Sequence, residues 1–301
     1  MRKLWQRGAI ALMLVGIVSG CDLTAPSPPS RLPEIGREKS RVQPPTLKPG
    51  TREPASSVTN NRNLVLGNPS NAASSVASID NYLMVKPQYV LSYNNKTHAA
   101  NWVSWQLNKS WIGTADRQDN FRPDDALPAA WYKVRPTDYT GSGYDRGHIA
   151  PSADRTRNEA DNSATFLMSN MMPQVPELNR GVWGDLEEYC RELVEQGKEI
   201  YIIAGPMGRK ARIGRKEKIA VPAKNWKVIV VLDRQGLGMQ GVNANTRTIA
   251  VMMPNDSNVK GKGWKSFRVS VARVERETGL NFLSNVPPQV QQVIESKVDS
   301  Q

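Results

Sequence analysis

Cysteine and histidine are scarce in this chain, and their scarcity excludes whole classes of chemistry. Two cysteines, Cys21 and Cys190, stand among 301 residues. They provide no paired spacing for a zinc site, and once Cys21 is modified no intramolecular disulfide can form. Two histidines, His98 and His148, leave no imidazole cluster. A metal bound here is expected to sit mainly on oxygen, which favours magnesium, calcium or manganese. Long apolar runs are missing too, because Gly8–Gly20 falls short of the roughly 20 residues of a spanning helix. No aromatic residue occurs between Asp22 and Asn81, while 8 of the 21 prolines lie between Asp22 and Asn60. Such a segment buries too little apolar surface to order itself, so residues 21–63 are predicted as a Pro-rich, disordered, extended linker. The folded domain is then 64–301. Acids are outnumbered, 28 against 40 lysines and arginines, for a net charge of +12. That surplus points to a polyanionic partner, nucleic acid or an anionic membrane surface.

The first 20 residues read as a targeting segment. Arg2, Lys3 and Arg7 precede the apolar run, which ends Val18-Ser19-Gly20-Cys21. This ending resembles a bacterial lipobox, making Cys21 the lipidated first residue and a membrane partner through that anchor. Ordinary signal cleavage nearby is the alternative, although Ala25 is followed by Pro26. The expected destination is export, as a periplasmic or cell-envelope lipoprotein or an extracellular protein.

Tyr82–Val85, Gln88–Tyr93 and Ala100–Leu107 alternate as strands do, with Asn94–His98 as a hairpin tip that exposes His98. A long loop covers Thr114–Thr140. Thr165–Met172 reads as an apolar strand. Pro176 opens a helix carried to Gln196 and stopped by Gly197, although Asp185 and Glu188 could cap a shorter one. Leu178, Val182, Leu186, Cys190 and Leu193 form its apolar face. Ile200–Ala204, Trp226–Leu232 and Thr248–Met253 are β-branched runs typical of buried strands. Helices are expected over Ser270–Thr278, ending at Gly279, and from Pro288 to about Lys297. Without regular βα alternation, the fold class is α+β, a largely antiparallel central sheet with packed helices.

Chemistry concentrates at Gly143-Tyr144-Asp145-Arg146-Gly147-His148-Ile149-Ala150-Pro151. With His98 on a turn, His148 is the main candidate for a general base, although a lone histidine is more often structural. Gly141-Ser142-Gly143 lacks the third glycine of a dinucleotide fingerprint. In a continuous helix, Asn179, Trp183, Glu187 and Arg191 form one row at four-residue spacing. Taken singly, Glu187 and Arg191 read as a solvated ion pair, Asn179 as a cap or loop residue and Arg117 as a solvated loop charge.

Together these residues resemble the DNA/RNA non-specific endonucleases, whose active site is a ββα-metal (His-Me finger) motif. The resemblance rests on Asp145-Arg146-Gly147-His148, Ala150-Pro151, Asn170–Gln174, and Asn179-Arg180 followed by Trp183. It runs from about Leu64 to Asp299 and is especially close to the exported cyanobacterial members. It implies His148 as general base and Asn179 as metal ligand. Arg146, Arg117 and Arg191 correspond to phosphate-contacting arginines, and Glu187 to the acid that orients metal-bound water. It further implies Mg²⁺, with Mn²⁺ as a substitute, DNA and RNA as substrates, 5′-phosphate products and a protein inhibitor as an open partner class. The alternative from another class is a non-catalytic basic lipoprotein binding nucleic acid or an anionic envelope polymer. Binding alone needs neither a base nor a metal ligand.

Overall fold

The computed structural model describes residues 61–301; the targeting segment, Cys21 and most of the expected linker lie outside them. In chain order the strands are β1 (Tyr82–Val85), β2 (Val90–Asn94), β3 (Ala99–Leu107), β4 (Asp145–His148), β5 (Met171–Gln174) and β6 (Glu199–Met207). They continue with β7 (Ala211–Ile213), β8 (Ile219–Val221), β9 (Lys224–Leu232), β10 (Arg247–Pro254) and β11 (Arg268–Val269). The helices are α1 (Glu159–Ala164), α2 (Trp183–Glu195), α3 (Val271–Thr278) and α4 (Pro288–Ser296). Among the described residues no helix is long and apolar enough to cross a membrane.

Seven strands form one sheet in the order β1-β2-β3-β6-β9-β10-β11, every neighbouring pair antiparallel. Its central strands are apolar on both faces, and the period of two sorts their side chains between two cores. Ile200, Ile202, Ile229 and Val231 face α2 with Leu186 and Cys190. Tyr201, Ile203, Val228 and Val230 face α3 and α4 with Val271, Val274 and Ile294. The fold is therefore α+β, as the sequence predicts, with helices on both faces of an antiparallel sheet.

Several elements differ from expectation. Folded structure reaches back to Asn61, whose side chain caps the turn Arg62–Leu64. The strand predicted over Thr165–Met172 is instead a turn at Met168–Asn170 followed by β5. Asn170 explains this, because its amide holds the carbonyls of Ala150 and Thr165 and accepts from the Ala150 amide. The helix predicted from Pro176 is broken: Leu178–Val182 forms a wide turn, Gly181 leaves helical dihedrals, and α2 starts at Trp183. Its apolar face is as expected, all five residues being buried. Gly197 follows α2 at φ +87°, a conformation that glycine adopts without strain. His98 does lie between β2 and β3, but it is half-buried edge-on against Tyr132 at 5.3 Å rather than exposed.

Candidate active site

β4 and β5 pair as a short hairpin-like ladder, His148 opposite Met171 and Asp145 opposite Gln174. With α2 they make a ββα unit outside the main sheet. Gly147 is needed here because a Cβ would lie 1.8 Å from Gln174 Oε1. The fully buried Gln174 side chain crosses the strand at that point.

Alternation sends Arg146 and His148 to the same face of β4. Phe121 receives both, with the Arg146 guanidinium 4.5 Å and the imidazole 5.6 Å from its ring. Phe166 stands edge-on to His148 at 4.8 Å and carries the Arg117 guanidinium at 4.9 Å. His148 is 9% exposed, and its Nε2 is enclosed without a hydrogen-bond partner. Burial first, and the charge of Arg117 second, push its pKa down to about 3. The imidazole is thus neutral at physiological pH but a weak base, and a bound phosphate anion, whose charge favours the imidazolium, would bring its pKa back up. Arg117 is no purely solvated loop charge: it donates to Ser152 Oγ at 2.7 Å and pairs with Asp119 at 2.7 Å.

Asn179 lies ahead of α2 rather than within it, so it does not complete a helical row with Glu187 and Arg191. Nor does it cap α2, whose first turn begins after Val182 without a side-chain cap. Its Nδ2 donates to Asp145 Oδ2 at 2.9 Å, and Arg180 grips the same carboxylate through two nitrogens at 2.7 and 2.8 Å. Burial opposes ionisation of Asp145, yet the hydrogen bonds from Arg180 and Asn179 outweigh it and hold the carboxyl below its usual range. Fixing the amide nitrogen on Asp145 directs the amide oxygen away from it. That oxygen is a hard donor suited to Mg²⁺ or Mn²⁺, though a single one. Among the described residues no cluster of three His, Cys, Asp or Glu side chains could hold a metal, so water and substrate oxygens would complete any such shell.

The expected Glu187–Arg191 pair does not form. Glu187 Oε1 instead meets Lys227 Nζ at 3.4 Å, while Arg191 pairs with Asp154 at 3.2 Å. Lys227 is fully buried on β9, its ammonium 4.1 Å from the Trp183 ring. Burial raises the pKa of Glu187, with Lys227 and Arg191 opposing. Asp154 also accepts from Trp105 Nε1 at 2.9 Å. One short turn, Ser152–Asp154, therefore joins the two halves, Ser152 holding Arg117 and Asp154 holding Arg191. Sequence reasoning missed Lys227, Asp154, Ser152 and the two phenylalanines. Only Lys227 left a signal, a lone charge inside the apolar run Trp226–Leu232.

The model of the DNA/RNA non-specific endonuclease family matches residues 66–289. A nuclease of Nostoc sp. is 60% identical over 237 residues, which cover 79% of this chain and 86% of that protein. Human mitochondrial endonuclease G is 33% identical over 217 residues, 68% of this chain and 70% of its own. A chain in the crystal structure of the EndoG/EndoGI complex has the same fold, with a TM-score of 0.66 at 26% identity, covering 80% of this chain and 97% of that one. The chain belongs to the DNA/RNA non-specific endonuclease family and is a nuclease.

Proposed function

We propose that this nuclease is an exported, cation-dependent enzyme that cuts DNA and RNA with little sequence preference and leaves 5′-phosphates. The observation that carries the reading is the setting of His148: an imidazole held against two phenylalanine rings that also carry Arg146 and Arg117. His148 takes the proton of a water attacking phosphorus in line. Arg146, Arg117 and Arg191 bind the phosphate oxygens, on which charge grows in the transition state. Glu187, steadied by Lys227, accepts hydrogen bonds from water beside them. Asn179 Oδ1 would hold Mg²⁺, or Mn²⁺ in its place. When bound, the cation supplies neutralising charge at the phosphate and the leaving oxygen. Contacts to phosphate and sugar rather than base edges would give the broad specificity.

Export and a lipid anchor at Cys21 are supported by the basic and apolar start and its Val18–Cys21 ending. A protein inhibitor is a further partner in this reading, in line with the likeness to an EndoG chain bound by EndoGI. The alternative of a purely binding lipoprotein has no use for the His148 arrangement. Nuclease assays on DNA and RNA with and without EDTA test the proposal. Loss of both activities in EDTA and recovery with Mg²⁺ are expected; full activity in EDTA would overturn the cation dependence.

A further inference from the structure

The segment Arg209–Lys218 holds six basic residues and one acid, Glu217, in ten positions. It folds as the hairpin β7–β8, apart from the main sheet. None of its six cations forms an ion pair with an acid among the described residues. Arg209, Arg215 and Lys216 are exposed. A solvated charge run is the ordinary reading of such a stretch, but two features argue for more.

The first is rigidity. Ile213, Ile219 and Val221 are buried in an apolar cluster with Tyr139, Met168 and Met171. Arg212 closes the tip by donating to the Lys218 carbonyl at 2.7 Å, and the Ala220 amide ties the hairpin to the Thr97 carbonyl at 3.0 Å. Repulsion among six like charges would splay a free loop; here packing holds them together.

The second is position. Met171, inside that cluster, is the β5 partner of His148. Phe121, the ring that carries Arg146 and His148, packs against the same cluster. Lys210 lies 5.5 Å from the ring of Tyr144, the residue before Asp145. The positive field reaches neighbouring groups: the pKa of His98 is lowered by burial first, then by Lys218 and Arg212.

We propose that this hairpin is a landing surface for the nucleic-acid backbone beyond the cleaved bond, with Arg209, Arg215 and Lys216 meeting phosphates that the active site does not reach. The proposal rests on the chain acting as a nuclease. A polymeric substrate seated at His148 extends past the site, and the hairpin is a rigid polycationic surface adjoining it. Contacts of this kind strengthen binding and steepen its salt dependence without reading bases.

The test is the triple variant Arg209→Gln/Arg215→Gln/Lys216→Gln, assayed on long duplex DNA and on thymidine 3′-(p-nitrophenyl phosphate), a single phosphodiester with no flanking phosphates. For the duplex, KM is expected to rise with kcat unchanged. The slope of log KM against log salt should fall by about 2.7, or about 0.9 per lost phosphate contact. The wild-type advantage in KM then shrinks about 40-fold between roughly 50 and 200 mM salt. The small diester should be cleaved as by the wild type. Arg209→Lys/Arg215→Lys, which keeps the charge, should keep the wild-type slope. An unchanged KM and slope in the glutamine variant would overturn the proposal, even if it lost binding to an inhibitor protein. Equal losses on both substrates would also overturn it, by placing the effect in the active site. Failure of the wild type to cleave either substrate would instead remove the nuclease reading beneath it.

Discussion

At His148 the surroundings set the protonation of one side chain. An ordinary imidazole titrates at about 6.5, but here burial and Arg117 bring the pKa to about 3. Two consequences follow, with signs fixed by that depression. The acid limb of kcat/KM, which reports the free enzyme, is expected below pH 5; a midpoint near 6.5 would show an imidazole open to solvent. Stability should fall as pH drops from about 6.5 towards 3, because the unfolded chain takes up the proton first. Thermal melts of the wild type and His148→Ala compare this directly. The same variant should lose about 10²–10⁴ in kcat while still binding DNA, and near-normal turnover would remove His148 as the base. At Asn179 the amide makes the reverse point, since its nitrogen is committed and its oxygen is left. Asn179→Ala is expected to cripple activity and alter the metal dependence. Asn179→Asp should bind Mg²⁺ more tightly yet turn over more slowly, because added negative charge weakens the pull on phosphate. A wild-type metal profile for Asn179→Ala would exclude the ligand role.

The active-site elements are short and rely on close contacts rather than length. β4 has four residues, and one of them is a glycine with Gln174 laid across it. Gly147→Ala should destabilise by about 1–3 kcal/mol through overpacking. Shortening the obstruction in Gly147→Ala/Gln174→Ala should recover part of that loss in denaturant melts, whereas simple addition of the two effects would count against it. α2 is fastened to the sheet by a charge as well as by its apolar face. Lys227 is fully buried against Trp183 and meets Glu187. Removing one partner of a buried pair typically costs about 3–5 kcal/mol. Lys227→Met should approach the lower end, because Glu187 keeps some exposure. Lys227→Met/Glu187→Gln should be clearly more stable than the sum of the single losses predicts, and a double-mutant cycle measures the difference.

Over the whole molecule, the sheet with its two cores carries the ββα unit at one face and a basic hairpin beside it. The net charge of +12 is thus unevenly placed, with six cations on ten residues of that hairpin. The start of the chain raises a separate question of location. Cys21→Ser is expected to release the protein from the membrane fraction or to stop its maturation. Unchanged fractionation of the Cys21→Ser protein would rule out the anchor.

Six of the seven strands of the main sheet were legible because their residues alternate or run apolar for reasons internal to each segment, whereas the two-residue β11 is too short to show a period. β1 begins and ends as read, and Trp226–Leu232 and Thr248–Met253 lie within β9 and β10. The motif residues were legible through resemblance, since Asp145 to His148 and Asn179 with Arg180 stand at fixed places along the chain. Three matters were decided only in three dimensions. Gly181 interrupts the helix, because the carbonyl pattern that closes Leu178–Val182 differs from an α-helical one. Asn170 spends its amide on Ala150 and Thr165, which delays the start of β5. The ion pairs of Glu187 and Arg191 join partners far apart in sequence, Lys227 and Asp154, rather than each other one helical turn away. Local periodicity shows which face of a segment is buried, but a charge is satisfied by whatever the fold places opposite it, and only the packing of α2 on the sheet supplies those partners.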